Sequence, residues 1–140
     1  VMTVPSSGAA QVGPAAGSVL AVTGNDGVCL DNAAQKIERL RRSEVPIYEP
    51  GLGPLVARNQ AEGRLAFTTD LGAAVERARV VFIAVGTPPG EDGSADLKYV
   101  LAVARGIGEN MNSYGVIVTK STVPVGTAAK VRAEIEQALA

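Results

Sequence analysis

Two stretches of the chain are almost continuously apolar and β-branched, and they constrain the fold more than any other feature. Residues 80–85 read VVFIAV, and residues 115–119 read GVIVT. A strand that is apolar on both faces belongs inside a parallel sheet, because helices then cover both of its sides. Residues 27–30 form a shorter run of the same kind, and Leu65–Thr68 is a candidate edge strand.

Segments with helical periodicity fill the gaps between these strands. The expected helices are residues 33–41, 71–75 behind an N-cap at Asp70, 97–107, 128–139, a short insert near 51–59, and the small-residue segment 13–22. This alternation predicts an α/β fold in one domain over residues 1–140: a Rossmann-like, doubly wound parallel sheet of five strands with helices on both faces. The first strand is expected before residue 10, and the strand order follows 3-2-1-4-5-6 without its sixth member.

Composition narrows the possible chemistry. The 140 residues contain 13 Lys and Arg, 14 Asp and Glu, no His and one Cys. A net charge of −1 argues against a nucleic-acid binder, and the absence of His excludes Ser-His-Asp and Cys-His catalysis. With a lone Cys it also excludes an ordinary zinc site, so no metal is expected. No apolar run could span a bilayer, and the first residues lack a basic signal-peptide start, so we expect a cytoplasmic chain without a membrane partner.

Ligands of such sheets bind beyond the carboxyl ends of the strands, so the loops at those ends are the candidate sites. Gly8, Ala10 and Gly13 form a G-x-A-x-x-G pattern, and Asp31 follows Gly13 by 18 residues. In a dinucleotide fingerprint the glycines allow a tight turn and close approach of the pyrophosphate, and an acid about 20 residues on binds the ribose. Ala10 stands where the second glycine belongs, and its methyl group obstructs that approach. The alternative is an ordinary glycine-bearing loop.

Asp31 follows directly on an apolar run, which strengthens the dinucleotide interpretation. A carboxylate there favours NAD over NADP, because it pairs with the ribose 2′-OH and repels a 2′-phosphate. The alternative is that Asp31 caps the helix expected over residues 33–41. Both interpretations can hold together.

Two further loops follow the strongest strands. Gly86 and Thr87 open a long Gly/Pro-rich loop that ends at Asp96, and Thr122 lies in the segment KSTVPVGT at residues 120–127. A loop held by a buried scaffold suits ligand binding, and the following helix N-terminus attracts anionic groups. The alternatives are a stiffened crossover loop and capping chemistry alone. A third motif, PIYEPGL at residues 46–52, joins two helical stretches and is expected to be a structural turn.

Taken together, the motifs PIYEPGL, VGTPP with DGSADL, and KSTVPVGT resemble the bacterial UDP-glucose 6-dehydrogenases of the UDP-glucose/GDP-mannose dehydrogenase family. The shorter segments EGRL at residues 62–65 and TTD at 68–70 fit as well. The resemblance covers residues 24–140 without gaps and residues 2–23 more loosely. GDP-mannose and UDP-N-acetylmannosamine dehydrogenases share the framework, and the loop over residues 88–96 fits the UDP-glucose branch best.

The resemblance implies an N-terminal NAD-binding domain with NAD as cofactor. Full-length members oxidise UDP-glucose to UDP-glucuronate with two NAD, through a cysteine-bound thiohemiacetal and thioester. In the family, the sixth strand and the substrate domain with that cysteine follow the segment that ends here at Ala140, so these residues alone are expected to be inactive. Cys29 lies within an expected strand and is assigned to the core rather than to the nucleophile.

The same resemblance assigns the first group of binding residues. Gly8, Ala10 and Gly13 line the pyrophosphate turn, where Ala10 departs from the family glycine. Asp31 holds the adenosine ribose, and Lys36 lies close to it.

A second group lies in the later loops. Gly86 and Thr87 run along the cofactor after the fourth strand. Thr122 contacts the cofactor and lies at the active centre, where it is the expected catalytic residue that positions a water or a substrate oxygen.

UDP-glucose is the expected partner of the full-length enzyme, and a homo-oligomer is expected because the strand at residues 116–118 presents an open apolar edge. The alternative function is a non-catalytic Rossmann-like module with impaired NAD binding, acting as an oligomerisation or scaffold piece. Another nucleotide binder, such as a methyltransferase-like fold, is a weaker alternative.

Overall fold

The computed structural model describes residues 17–90 and 95–139, which contain five strands and five helices. The strands are β1 (Gly17–Thr23), β2 (Asp26–Asp31), β3 (Leu65–Thr68), β4 (Val80–Val85) and β5 (Val116–Thr119). The helices are α1 (Ala34–Arg41), α2 (Leu52–Ala61), α3 (Leu71–Val75), α4 (Lys98–Asn110) and α5 (Thr127–Leu139). None of these helices is long and apolar enough to cross a membrane.

The five strands form one sheet in the order β3-β2-β1-β4-β5. This confirms the expected Rossmann-like order and the edge position of β3. Parallel pairing joins β2 to β3 and β4 to β5. β1 runs antiparallel to both β2 and β4. The sheet is therefore mixed, and the expectation of a fully parallel sheet was wrong at its central strand.

The helix expected over residues 13–22 was also wrong in its described part. From Gly17 onward this segment is β1, and the residues before it, including the expected first strand, lie outside the described residues. Its sequence GSVLAVT contains two valines and a threonine, whose branched side chains fit a pleated surface between two neighbouring strands.

A tight hairpin connects β1 to β2 and accounts for the antiparallel pairing. Thr23 pairs with Asp26, so that only Gly24 and Asn25 form the turn. Gly24 has a φ of +60°, which glycine adopts without the steric cost of a side chain. Gly-Asn between two strand-like runs is a hairpin signal, and it identifies this turn from the sequence.

Helices lie on both faces of the sheet, as expected, but β4 and β5 are not buried on both faces: Ala84 is exposed, and the four residues of β5 are exposed or half-buried. Alternate residues of the central strands, such as Val19 and Ile83, form the larger core with α3, α4 and α5. On the opposite face, α1 and α2 cover β2 and β3 through a smaller cluster of Ile37, Val56 and Phe67. The expected cap of α3 is confirmed, because the Asp70 carboxylate accepts a hydrogen bond from the backbone N–H of Ala73 at 3.0 Å.

One edge of the sheet collects the segments that the sequence singled out. The carboxyl ends of β2, β4 and β5 lie there, at Asp31, Val85 and Thr119. Because β1 is antiparallel, it brings its first residues to the same edge, where Gly17 pairs with Val85 and Ser18 with Asp31. We refer to this side, with the loops that follow Asp31, Val85 and Thr119, as the loop edge.

Candidate functional site

Asp31 is the most constrained polar residue of the loop edge. It is only 3% exposed. Its Oδ1 accepts a hydrogen bond from the Ala33 N–H at 2.9 Å, and its Oδ2 accepts from Ser18 Oγ at 3.0 Å and from Lys36 Nζ at 2.5 Å. The carboxylate therefore ties β1, β2 and the start of α1 together.

The expected capping role of Asp31 was wrong: the N-cap of α1 is Ala33, without a side-chain cap hydrogen bond, and Asp31 accepts from the N–H of Ala33 itself. Its role at a ribose stays a prediction, for a carboxylate at the end of β2 with Lys36 beside it. Sequence reasoning missed Ser18, because that residue fell in a segment assigned to a helix. The Gly-Asn hairpin signal would have placed Ser18 across from Asp31 by simple counting of register.

The loops after β4 and β5 are joined by side-chain hydrogen bonds. Thr87 Oγ1 donates to the backbone carbonyl oxygen of Thr122 at 2.8 Å. Ser121 Oγ donates to the carbonyl oxygen of Val85 at 2.8 Å. The two segments are thus fixed against each other directly above the strand ends, with the Thr122 side chain exposed.

The turn into α5 has its own local determinants. Thr127 is 2% exposed, and its hydroxyl donates to the carbonyl oxygen of Pro124 at 2.7 Å. Gly126 has a φ of +88°, a conformation that favours glycine. This turn fixes the KSTVPVGT segment at the loop edge.

The long loop after β4 is closed at its base. The Asp96 N–H donates to the carbonyl oxygen of Pro88 at 2.9 Å, and Pro89 forms a bridge with Ala95. The Asp96 carboxylate accepts from the Lys98 N–H at the start of α4 and pairs with the Lys98 ammonium. These hydrogen bonds to Lys98 hold the pKa of Asp96 below its ordinary value.

The structure brings the predicted site residues together in two groups. Asp31 and Lys36 form one, and Thr87 and Thr122, with Gly86 beside Thr87, form the other. Only β1 separates β2 from β4 in the sheet, so the two groups lie roughly 10 Å apart, about two strand spacings. The remaining predicted residues lie outside the described part of the chain: Gly8, Ala10 and Gly13.

Cys29 lies in β2, as expected, and is half-buried. Burial raises the pKa of its thiol above the ordinary value of 9.0, and the positive charge of Lys36 opposes this only in part. The thiol therefore stays protonated at neutral pH, which fits a packing role rather than that of a nucleophile.

Comparison with protein families finds a match over almost the whole chain. Residues 2–140 match the NAD-binding domain of the UDP-glucose/GDP-mannose dehydrogenase family. UDP-glucose 6-dehydrogenase of Rhizobium meliloti is 50% identical over 137 residues, which are 97% of this chain and 31% of the relative. UDP-glucose 6-dehydrogenase TuaD of Bacillus subtilis is 47% identical over 131 residues, which are 94% of this chain and 28% of the relative. The chain thus spans less than a third of the length of these relatives.

Solved structures agree with this placement. A ternary complex of GDP-mannose dehydrogenase from Pseudomonas aeruginosa superposes with a TM-score of 0.74 at 36% identity, over 79% of this chain and 26% of that one. UDP-glucose dehydrogenase from Pyrobaculum islandicum gives a TM-score of 0.74 at 42% identity over the same shares. Together with the sheet order and the family match, these similarities show that the chain belongs to the UDP-glucose/GDP-mannose dehydrogenase family and carries its NAD-binding domain.

Proposed function

We propose that the loop edge binds NAD between its two side-chain groups, with Asp31 and Lys36 at the adenosine ribose and Gly86, Thr87 and Thr122 further along the dinucleotide. The observation that carries this proposal is the Thr87–Thr122 hydrogen bond of 2.8 Å, which fixes the two loops beside each other. Bound NAD supplies the hydride acceptor, and the residues of this chain supply orientation. Gly8, Ala10 and Gly13 complete the proposal as the pyrophosphate turn.

The donor set around Asp31 fits a ribose. Oδ2 receives one hydroxyl donor, from Ser18, and one ammonium donor, from Lys36. A ribose hydroxyl is a donor of the same kind as Ser18 and can replace it at Oδ2. Lys36 has 39% of its side chain exposed, so it can also donate to a ribose oxygen while Oδ1 of Asp31 keeps its bond to Ala33.

Removing the Thr87 hydroxyl tests the binding site. In Thr87→Val, loss of one hydrogen bond between the two loops is expected to weaken NADH binding about fivefold, measured by NADH fluorescence titration. Thr23→Val is the matched control. Its hydroxyl also donates to a backbone carbonyl, that of Arg77 at 2.7 Å, but at the opposite end of β1. Equal NADH affinity in both variants and the parent chain would contradict the assignment of Thr87.

UDP-glucose is the substrate that we propose for the whole enzyme, which would oxidise it to UDP-glucuronate in the cytoplasm. Support comes from the relatives named UDP-glucose 6-dehydrogenase, with identities of 50% and 47%. The exposed Thr122 side chain is proposed as the catalytic residue that orients a water or a substrate oxygen, because its backbone is already held by Thr87.

The 140 residues by themselves are expected not to turn over UDP-glucose. The single thiol they contain, Cys29, lies within β2 and is kept protonated by burial, so it cannot form the family's covalent intermediate. Mixing the chain with NAD and UDP-glucose should give no rise in absorbance at the NADH wavelength. NADH formation by the parent chain would contradict this expectation, and its loss in Cys29→Ser would show that Cys29 is the nucleophile after all.

A non-catalytic module is the second candidate function, and one observation favours it. Asp31 already has partners within the chain for both oxygens and is nearly inaccessible. The same titration decides between the two functions. A folded chain that leaves NADH fluorescence unchanged at millimolar concentrations would support a scaffold role and exclude cofactor binding.

The free edge of β5 supports the proposal of a homo-oligomer. β5 ends the described sheet, and Val116 is 45% exposed on it. Unpaired backbone groups on an apolar edge strand attract another strand. Sedimentation equilibrium should show concentration-dependent self-association that Val116→Lys abolishes. Val125→Lys, at an exposed valine in the loop before α5, is the control and should not change it; a monomeric parent chain would contradict the proposal.

A further inference from the structure

A cavity of about 510 Å³ lies away from the loop edge, between the helices α1 and α2 and the sheet. Its apolar wall includes Leu40 of α1, Leu52 and Val56 of α2, and Leu65 and Phe67 of β3. The cavity is open to solvent, so a ligand can enter it. Its volume and its mainly apolar lining are those of small-molecule sites.

The charged groups in the wall of this cavity share one sign. Lys36 and Arg64 contribute to the lining, and no Asp or Glu of residues 17–90 and 95–139 does. Arg64 donates from Nε to Asn59 Oδ1 at 3.0 Å and pairs with the exposed Glu62. A guanidinium carries five N–H donors, so Arg64 keeps donors for a further acceptor. Lys36 is paired with Asp31, outside the lining. The cavity thus combines an apolar interior with the remaining N–H donors of Arg64 at its wall.

Apolar side chains are also exposed at the opening. Ile47 is 62% exposed and Leu55 is 47% exposed, and both contribute to the lining. Exposed apolar residues grouped around a concavity mark ligand sites more often than isolated ones do.

We propose that this cavity binds a small organic anion: a ligand with an aromatic or alkyl body that fills the apolar interior and one carboxylate or sulfonate group that pairs with Arg64. The spare donors of Arg64 favour an anion over a cation. Arg64 directly precedes β3, at the end of the sheet opposite Asp31, and Lys36 is a residue that this site shares with the proposed NAD site.

The probe that tests this is 8-anilinonaphthalene-1-sulfonate, which has two ring systems and one sulfonate. Fluorescence titration of the parent chain should show a single saturable site. Arg64→Gln should weaken this binding about tenfold, the size of one lost charge-assisted hydrogen bond. Arg58→Gln is the matched control, because Arg58 is exposed on α2 and does not line the cavity. N-phenyl-1-naphthylamine, which has the same rings and no sulfonate, should bind Arg64→Gln and the parent chain equally.

Cys29 locates the bound probe, because it lines the cavity and is the chain's single thiol. At ten times its Kd, the probe should slow iodoacetamide modification of Cys29 about tenfold, since only about one cavity in eleven is then empty. Saturating AMP should leave the probe affinity unchanged. Displacement of the probe by AMP, several weak sites, or unprotected Cys29 at saturation would overturn the proposal.

Discussion

Replacing Gly108 with alanine should lower the free energy of unfolding by about 2 kcal/mol, because α4 and α5 touch at this residue. A Cβ at Gly108 would lie 2.7 Å from Ala138 Cβ and 2.7 Å from the carbonyl oxygen of Ile135. One of these neighbours is helix backbone, which cannot turn aside as a flexible side chain would. Overpacking costs about 1–3 kcal/mol, and the better helix propensity of alanine returns at most about 1 kcal/mol.

Gly53→Ala is the matched control and should change stability in the opposite direction. Gly53 also lies in a helix, α2, but a Cβ there meets nothing within 4 Å. Alanine should therefore stabilise the chain by about 0.5–1 kcal/mol through helix propensity alone. Urea midpoints at equal m-values measure both changes. If Gly108→Ala raised the midpoint, as Gly53→Ala should, the close contact of α4 with α5 would be refuted.

The parts of the fold that were predictable from the sequence are those with local signals. The run of residues 80–85 is short and rich in β-branched residues, which predicts a strand, and it occupies the sheet interior as β4, with Val81, Ile83 and Val85 buried. Asp70 before a short apolar stretch identified the cap of α3. In both cases the local preference, from hydrophobic burial or from a local hydrogen bond, favours the same secondary structure that the tertiary packing requires.

The central strand was not predicted, because its sequence is ambiguous. GSVLAVT is short, apolar and small, and such a run cannot be assigned to helix or strand by periodicity. Pairing on both sides with β2 and β4 decides its conformation, and that pairing is not local information. The overlooked Gly24-Asn25 turn was the one local signal for the antiparallel direction.

The candidate site also contains residues with a local sequence signal and residues whose contacts depend on strand pairing. Asp31 and Thr87 were predicted as site residues because each lies at or just after the carboxyl end of an apolar run, and their role stays a prediction. Ser18 and Ser121 were missed because they act through register. Ser18 reaches Asp31 across 13 positions of sequence, and Ser121 reaches Val85 across 36. A hydroxyl acquires such a role only when the sheet has brought its partner opposite to it.

Lys36→Met should cost more stability than Asp31→Asn, although both remove the same ion pair. The Asp31 side chain is 4% exposed, and the Lys36 side chain is 39% exposed. Without Lys36, a buried carboxylate loses its counter-charge, and we expect a loss of about 2–3 kcal/mol. Without the carboxylate, the ammonium can turn to water, and the asparagine oxygen can still accept from Ala33, so the loss should be about 1 kcal/mol.

Comparing the losses of unfolding free energy in Lys36→Met and Asp31→Asn shows which of the two side chains cannot reach water when its partner is removed. A surface ion pair would give two small and equal effects. Lys98→Met supplies this comparison, because Lys98 pairs with Asp96 at the exposed start of α4, and its urea midpoint should match that of the parent chain. If Asp31→Asn were the more damaging variant, the carboxylate would be the support of β1 and α1 through Ser18 and Ala33, and its charge would matter less. In that case Asp31 could not release Ser18 to a ribose without loss of local structure, which would favour the scaffold function over cofactor binding.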